Sequence, residues 1–252
     1  MSLFTHSQKA PIISIEGNIG SGKSTLMIEL KKSFEHLPHV VFLQEPVDEW
    51  NTIRDEKGLT MIEKFYADQT KYSFSFQMMA YISRLATVRK AIRENPNSVF
   101  ISERCLHTDK YVFAKMLFDD HKIESVDYQI YNKWFDTFIE EFEITNLIYI
   151  KTNPDICLER ITKRGRDGEG HIPIEYLTSC GEYHDNMMKE MKCNVDVLDG
   201  NVNNYTNPNN VNSWVSRIND IVSNLAANIK KEQRSSSPSS GSESESIKHK
   251  TD

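Results

Sequence analysis

One octapeptide limits what this chain can fold into more than any other feature. Gly17, Asn18, Ile19, Gly20, Ser21, Gly22, Lys23 and Ser24 fit G-x-x-x-x-G-K-[ST] at every position, and Thr25 follows. An apolar run at 11–16 precedes the octapeptide, and a helical pattern over 23–34 follows it. A strand, a glycine-rich turn and a helix in that order aim backbone N–H groups and the positive end of a helix at one point, which suits phosphate oxygens. Lys23 adds a mobile cation, and Ser24 offers a hydroxyl to Mg²⁺. A glycine-rich turn without a ligand is the competing reading, and the flanking strand and helix argue against it. The residues predict a nucleoside triphosphate site. The loop alone leaves a kinase, a switch GTPase and a motor open.

Further apolar runs at 40–44, 99–103, 147–151 and 195–199 alternate with longer helical patterns. Most are continuous rather than alternating, which marks strands buried on both faces of a parallel sheet. The spacing predicts an α/β fold of about five parallel strands with helices on both faces. The clearest helix follows residue 72, where Phe74, Met78, Tyr81, Leu85, Val88 and Ile92 make one apolar stripe. Gln77, Ala80 and Arg84 share another face of it, and periodicity alone reads Gln77 and Arg84 as solvated.

Charge and cysteine usage exclude some classes. Among 252 residues, 30 Lys and Arg stand against 36 Asp and Glu, a formal net charge of −6. No basic footprint for nucleic acid is present. Cys105, Cys157, Cys180 and Cys193 form no C-x-x-C pair, so reduced thiols are expected rather than a zinc knuckle or a disulfide framework. No apolar run is long enough to span a membrane. Residues 1–10 form a short polar extension without a signal-peptide core, so a cytoplasmic location is expected ahead of a mitochondrial one. The folded domain is expected over 11–230. Residues 231–252 are Ser-rich with one aliphatic side chain, and composition predicts that they are disordered.

Catalytic candidates gather where strands end. The second run leads into Glu45, and the third ends in Glu103 and Arg104. Carboxyl ends of strands form the ligand edge of a doubly wound sheet, and phosphoryl transfer needs a proton acceptor, a metal-side carboxylate and cations. Arg160, Lys163, Arg164 and Arg166 cluster beside Gly165, Gly168 and Gly170. Cations among glycine hinges in an acidic chain suggest a lid over a triphosphate. No N-K-x-D or T-K-x-D base-reading motif follows a strand, and the chain lacks the length of a motor.

These pieces resemble the deoxynucleoside kinases of the deoxycytidine and deoxyguanosine kinase type. The matching segments are GNIGSGKST at 17–25, EPVDEW at 45–50, SFSFQMMAYISRL at 73–85, ERCLHTDKYVFAKMLF at 103–118 and CLERITKRGRDGEGHIPIEYL at 157–177. The resemblance implies a P-loop kinase fold with an arginine-rich lid, and ATP-dependent phosphorylation of a deoxynucleoside 5′-hydroxyl in nucleotide salvage. It makes Glu45 the general base, Arg104 its partner near the reacting oxygen, and Glu103 the carboxylate on the Mg²⁺ side. Gln77 would bond the base edge, with Arg84 and Asp109 a charged pair beside it. Phe76, Phe113 and Trp50 would wall the base. Tyr66 and Glu169 would hold the sugar 3′-hydroxyl, and Arg160, Arg164 and Arg166 would serve the lid.

The resemblance also implies a homodimer and feedback inhibition by a deoxynucleoside triphosphate. Small Ala80 and the FAKML segment after Tyr111 and Val112 lean toward deoxyguanosine or deoxyadenosine, with deoxycytidine next and thymidine last. Cys105 stands where the family usually has Ser, Gly170 and His171 alter the lid, and the asparagine-rich loop at 199–205 carries no assignment. Two other readings stay open: a nucleoside monophosphate kinase, and a non-catalytic relative acting as a binding subunit.

Overall fold

A computed structural model describes residues 9–166, 169–170, 172–202 and 208–236. Five strands, β1 (Pro11–Gly17), β2 (Val40–Leu43), β3 (Val99–Glu103), β4 (Glu143–Lys151) and β5 (Asn194–Asp199), lie in the order β2-β3-β1-β4-β5. Every pairing is parallel. All five expected strands are present. β4 begins four residues before the predicted apolar run, because Glu143 and Ile144 extend the ladder against Pro11 and Ile12. β2 ends one residue early, at Leu43.

The helices are α1 (Lys23–Ser33), α2 (Val47–Trp50), α3 (Met61–Ala67), α4 (Gln69–Glu94), α5 (Leu106–Thr108), α6 (Lys115–Asp119), α7 (Ser125–Phe138), α8 (Pro154–Arg164), α9 (Ile174–Glu190) and α10 (Pro208–Ser236). A π-helical turn, Asp109–Ala114, joins α5 to α6. Successive strand residues face opposite layers. Ile13, Ile15, Ile101 and Ile150 pack with Leu26 and Leu30 of α1 and with α10. Ile12 and Phe100 pack with Tyr81, Leu85 and Val88 of α4 and with Tyr131 and Phe135 of α7. Both faces are therefore covered, as continuous apolar strands require. β1 lies between β3 and β4, so the chain's crossover from one side of β1 to the other opens the crevice at its carboxyl end.

Asp68 caps α4 by accepting from the Lys71 N–H at 3.1 Å. The predicted apolar stripe of α4 lies in the core with β1 and β3. The face carrying Gln77, Ala80 and Arg84 is not solvated; these residues are 2%, 4% and 3% exposed.

Trp214, Ile218, Val222, Ala226 and Ile229 form the buried stripe of α10. Ile218 is 1% exposed, so Ile218→Val leaves a void one methyl wide. The expected cost is about 0.5–1.5 kcal/mol, read as a melting temperature lower by roughly 2–5 °C. An unchanged melting temperature would mean that α10 is not anchored through this face. Composition places the start of a disordered tail at residue 231, but α10 continues to Ser236. Lys, Glu, Gln and Arg at 231–234 are good helix formers, so an anchored helix runs on through them. The rest of that predicted tail, 237–252, and residues 1–8 of the extension lie outside the described residues. Among the described side chains Ile229 is the last buried member of the stripe, so truncation after Lys230 is expected to lower the melting temperature by less than about 2 °C. A larger drop in differential scanning fluorimetry would show that residues beyond 230 dock on the body.

Candidate active site

The loop between β1 and α1 is the site's first wall. Gly22, at φ 106°, turns the chain into α1 in a left-handed conformation that a side chain disfavours. Gly20 is required by space as well, since a Cβ there would lie 2.5 Å from the Cys157 carbonyl oxygen of α8. The Asn18 amide donates to the Leu177 carbonyl of α9 at 2.7 Å, and Arg160 Nη1 donates to the Ser21 carbonyl at 3.2 Å. Helices α8 and α9 thus fix the loop from behind. Lys23 Nζ donates to the carbonyls of Gly17 at 3.0 Å and Asn18 at 2.7 Å. Burial and then the Arg104 charge lower its pKa to about 8, against the pull of Glu103, Glu45 and Glu16.

Ser24 Oγ donates to Glu103 Oε1 at 2.7 Å. The hydroxyl at the start of α1 and the carboxylate at the end of β3 therefore form one pair of hard oxygen donors. Thr25, next on α1, also lines the cavity described below.

Glu45 follows β2, with its side chain 15% exposed. Its Oε1 accepts from Arg104 Nη1 at 2.6 Å and from Arg84 Nη2 at 3.2 Å. Burial would push the Glu45 carboxyl up, but Arg104, Arg84 and Lys23 outweigh it and hold the pKa at about 2. Arg104 sits at φ 62°, a left-handed backbone unusual for a side chain this large. That bend takes the chain from β3 into α5 and leaves the guanidinium 5.0 Å from the Phe113 ring. Cys105, which stands where the family usually has Ser, is buried, and its thiol lies 3.5 Å from Thr108 Oγ1. Burial, with Glu16 adding to it, raises its pKa.

The aromatic walls come from α2, α3 and α4. Phe76 stacks on Phe65, with ring centroids 4.6 Å apart and a 17° tilt, and meets the edge of Trp50 at 5.8 Å. Trp50 Nε1 donates to Ser83 Oγ at 2.7 Å, which sets the indole's angle. Tyr66 meets Tyr176 edge-on at 6.4 Å. Burial and then Glu169 push the Tyr66 phenol's pKa up. Gln77 has no hydrogen-bond partner among the described residues yet lines the cavity.

One cavity of about 800 Å³ joins these pieces. It is lined by Lys23 and Ser24, by Glu45 and Arg104, and by Gln77 and Asp109. Phe76, Phe113, Trp50 and Tyr66 also reach it. So do the lid cations Arg160, Arg164 and Arg166, together with Glu169, which accepts from Arg164 and, at 3.2 Å, from Arg166. Gly168 and His171, noted as lid features, lie outside the described residues, as do 203–205 of the unassigned loop.

Arg84 differs from its expected place. It is absent from the cavity lining and lies behind it, donating through Nε to Asp109 Oδ2 at 2.9 Å and through Nη1 to the Glu103 carbonyl at 2.7 Å. Burial pushes the Asp109 carboxyl up to about 6 despite that bond. Sequence reasoning missed Phe65 and Tyr176, which also line the cavity. The adjacent aromatics Phe65 and Tyr66 just before the cap Asp68 were the available signal for the first.

Comparison with known proteins agrees with this architecture. The profile of the deoxynucleoside kinase family matches residues 13–223. A probable deoxycytidine kinase of fowlpox virus is 33% identical over 221 residues, covering 84% of this chain and 88% of the viral one. Deoxycytidine kinase of Homo sapiens is 32% identical over 205 residues, covering 74% and 79%. Mitochondrial thymidine kinase 2 of Homo sapiens is 31% identical over 180 residues, covering 71% and 64%. Among the described residues no helix is long and apolar enough to cross a membrane.

Proposed function

The chain belongs to the deoxynucleoside kinase family, and we propose that it transfers the γ-phosphoryl group of ATP to the 5′-hydroxyl of a purine deoxynucleoside first, deoxycytidine next and thymidine last. The observation that carries this reading is the single cavity lined both by the phosphate loop and by Glu45, Gln77 and Asp109. Donor and acceptor can then meet out of bulk water. Glu45 Oε1 is engaged by two arginines, while Oε2 has no partner among the described residues. That free oxygen is the atom we assign to accept the 5′-hydroxyl proton. Lys23 and the lid arginines stabilise charge on the moving phosphoryl group, and Arg104 holds the acceptor carboxylate in place. Ser24 and Glu103 fit Mg²⁺, which favours a few hard oxygen ligands alongside substrate phosphates. When bound there, the ion neutralises phosphate charge.

Purine preference rests on Ala80, a small residue that is 4% exposed and lines the cavity wall. Deoxycytidine stands next because two of the relatives are named for it. An ATP assay over the four natural deoxynucleosides, comparing kcat/KM, tests the ranking. The same assay with the four deoxynucleoside monophosphates would replace this reading if only they were phosphorylated. The absence of any phosphorylation would favour a binding subunit.

We also assign a homodimer through α7 and the adjoining α4. Val126, Ile130 and Trp134 recur at four-residue spacing on α7 and are 64%, 43% and 45% exposed, with Ile82 of α4 at 46%. Tyr81 of α4 donates to the Trp134 carbonyl at 3.2 Å, so these helices adjoin. An apolar stripe in water is costly unless covered. Trp134→Glu is expected to convert the dimer to a monomer in light scattering after size exclusion. A wild-type protein that is already monomeric would remove the assignment.

A further inference from the structure

We infer that Arg84 is a positioning residue that ties recognition of the nucleobase to the orientation of Glu45, so that a wrong base is rejected in kcat as well as in KM. The inference rests on the deoxynucleoside kinase reading above and assigns the rejection to one guanidinium.

Arg84 rises from α4 and is 3% exposed. Its three nitrogens each hold a different functional segment. Nε reaches Asp109 Oδ2 at 2.9 Å, Nη1 the Glu103 carbonyl at 2.7 Å and Nη2 Glu45 Oε1 at 3.2 Å. Asp109 and Glu45 line the cavity; Arg84 does not. A ligand therefore touches the two carboxylates, and the arginine joins them from behind. A guanidinium is planar and its N–H fork is rigid, so its three bonds cannot adjust independently. Turning the plane at Nε also moves Nη2.

A base that presents an amine to Asp109 donates to it and leaves the Asp109–Arg84 bond in place. Thymine, which brings its O4 carbonyl and a methyl group there, sets two acceptors face to face, and Asp109 must rotate away. The guanidinium then loses its Nε partner while buried, and it tilts toward the acceptors that remain. Glu45 Oε1 follows Nη2, because its other bond, to Arg104 Nη1 at 2.6 Å, constrains that oxygen from one direction only. A displacement of about 1 Å at a catalytic group can cost on the order of 100-fold in rate. The mismatch at the base is thereby felt at the 5′-hydroxyl.

Arg84→Lys tests this. Lysine keeps the charge but, as a single ammonium, cannot hold all three partners in one plane. kcat and KM are measured separately for the best natural deoxynucleoside and for thymidine. For wild type the two kcat values are expected to differ by at least about 10-fold. In Arg84→Lys the difference is expected to shrink to within about 3-fold, chiefly because the better substrate slows. A purely structural role would slow both substrates by the same factor and leave the ratio standing, which overturns the inference. So does a wild type that discriminates through KM alone. Should Arg84→Lys fail to fold, Asp109→Asn keeps an acceptor for Nε but removes the carboxylate, and the same collapse of the kcat ratio is expected. If wild type phosphorylates no deoxynucleoside, the kinase reading itself has failed, an outcome distinct from an unchanged ratio.

Discussion

Glu45→Gln lowers kcat at least about 100-fold with little change in nucleoside KM, as expected for loss of a general base. The amide keeps the size of the carboxylate but cannot take the proton. It also leaves Arg104 and Arg84 without the anion they share, at 2.6 and 3.2 Å. A carboxylate held at about 2 is a weak base. Phosphoryl transfer tolerates that, because the transition state is loose and the attacking hydroxyl gives up its proton late. Accepting a hydrogen bond and aiming the oxygen is then most of the task. The sign of the pH dependence follows. Because the Glu45 pKa is depressed, the carboxylate is ionised throughout the neutral range. Its protonation removes activity only as pH falls toward about 2, so any fall in kcat between about pH 6 and 8 comes from another group. Wild-type kcat retained in Glu45→Gln would remove Glu45 from the base role.

What the sequence made legible is what chemistry confines to short segments. The phosphate loop is eight consecutive residues, and its backbone shape is set by local glycines. Glu45 and the Glu103–Arg104 pair could be found because strand ends and the loop must share one edge of a parallel sheet. The buried face of α4 was harder. Gln77 and Arg84 have the polarity of a surface stripe, and only the tertiary arrangement turns them inward. Asp109 is 25 residues from Arg84, so no periodicity reports their bond. The π-helical turn at Asp109–Ala114 has no local signature either, yet it carries Asp109 and Phe113, which both line the cavity. The extension of α10 past residue 230 was hidden for a different reason: composition measures the capacity to bury surface, and a helix anchored upstream needs none in its last turns.

Pairing Arg84→Met with Asp109→Ala is expected to raise thymidine kcat/KM at least about 10-fold while the best natural substrate loses ground. The magnitude follows from the cost of leaving buried polar groups unsatisfied, about 1–3 kcal/mol each, or roughly 5- to 150-fold. Thymine offers a carbonyl and a methyl group where Asp109 offers only an acceptor, so in wild type neither side is satisfied. Removing the carboxylate ends the repulsion, and methionine fills most of the arginine's volume with an apolar, flexible chain. The changes have to be made together. Asp109→Ala alone leaves the Arg84 guanidinium, 3% exposed, without its Nε partner. Breaking a buried pair from one side costs about 3–5 kcal/mol, so the single variant should melt well below the double. The double variant also removes the Arg84 bond to Glu45 and leaves Arg104, at 2.6 Å, as its one arginine partner, so the best natural substrate slows, while thymidine, which gains little from that bond in wild type, loses little. Calorimetry of the single and double variants and kinetics with thymidine check the two halves separately. If the double variant folds, melts above Asp109→Ala and still gains no thymidine activity, the Arg84–Asp109 pair is not what excludes thymidine.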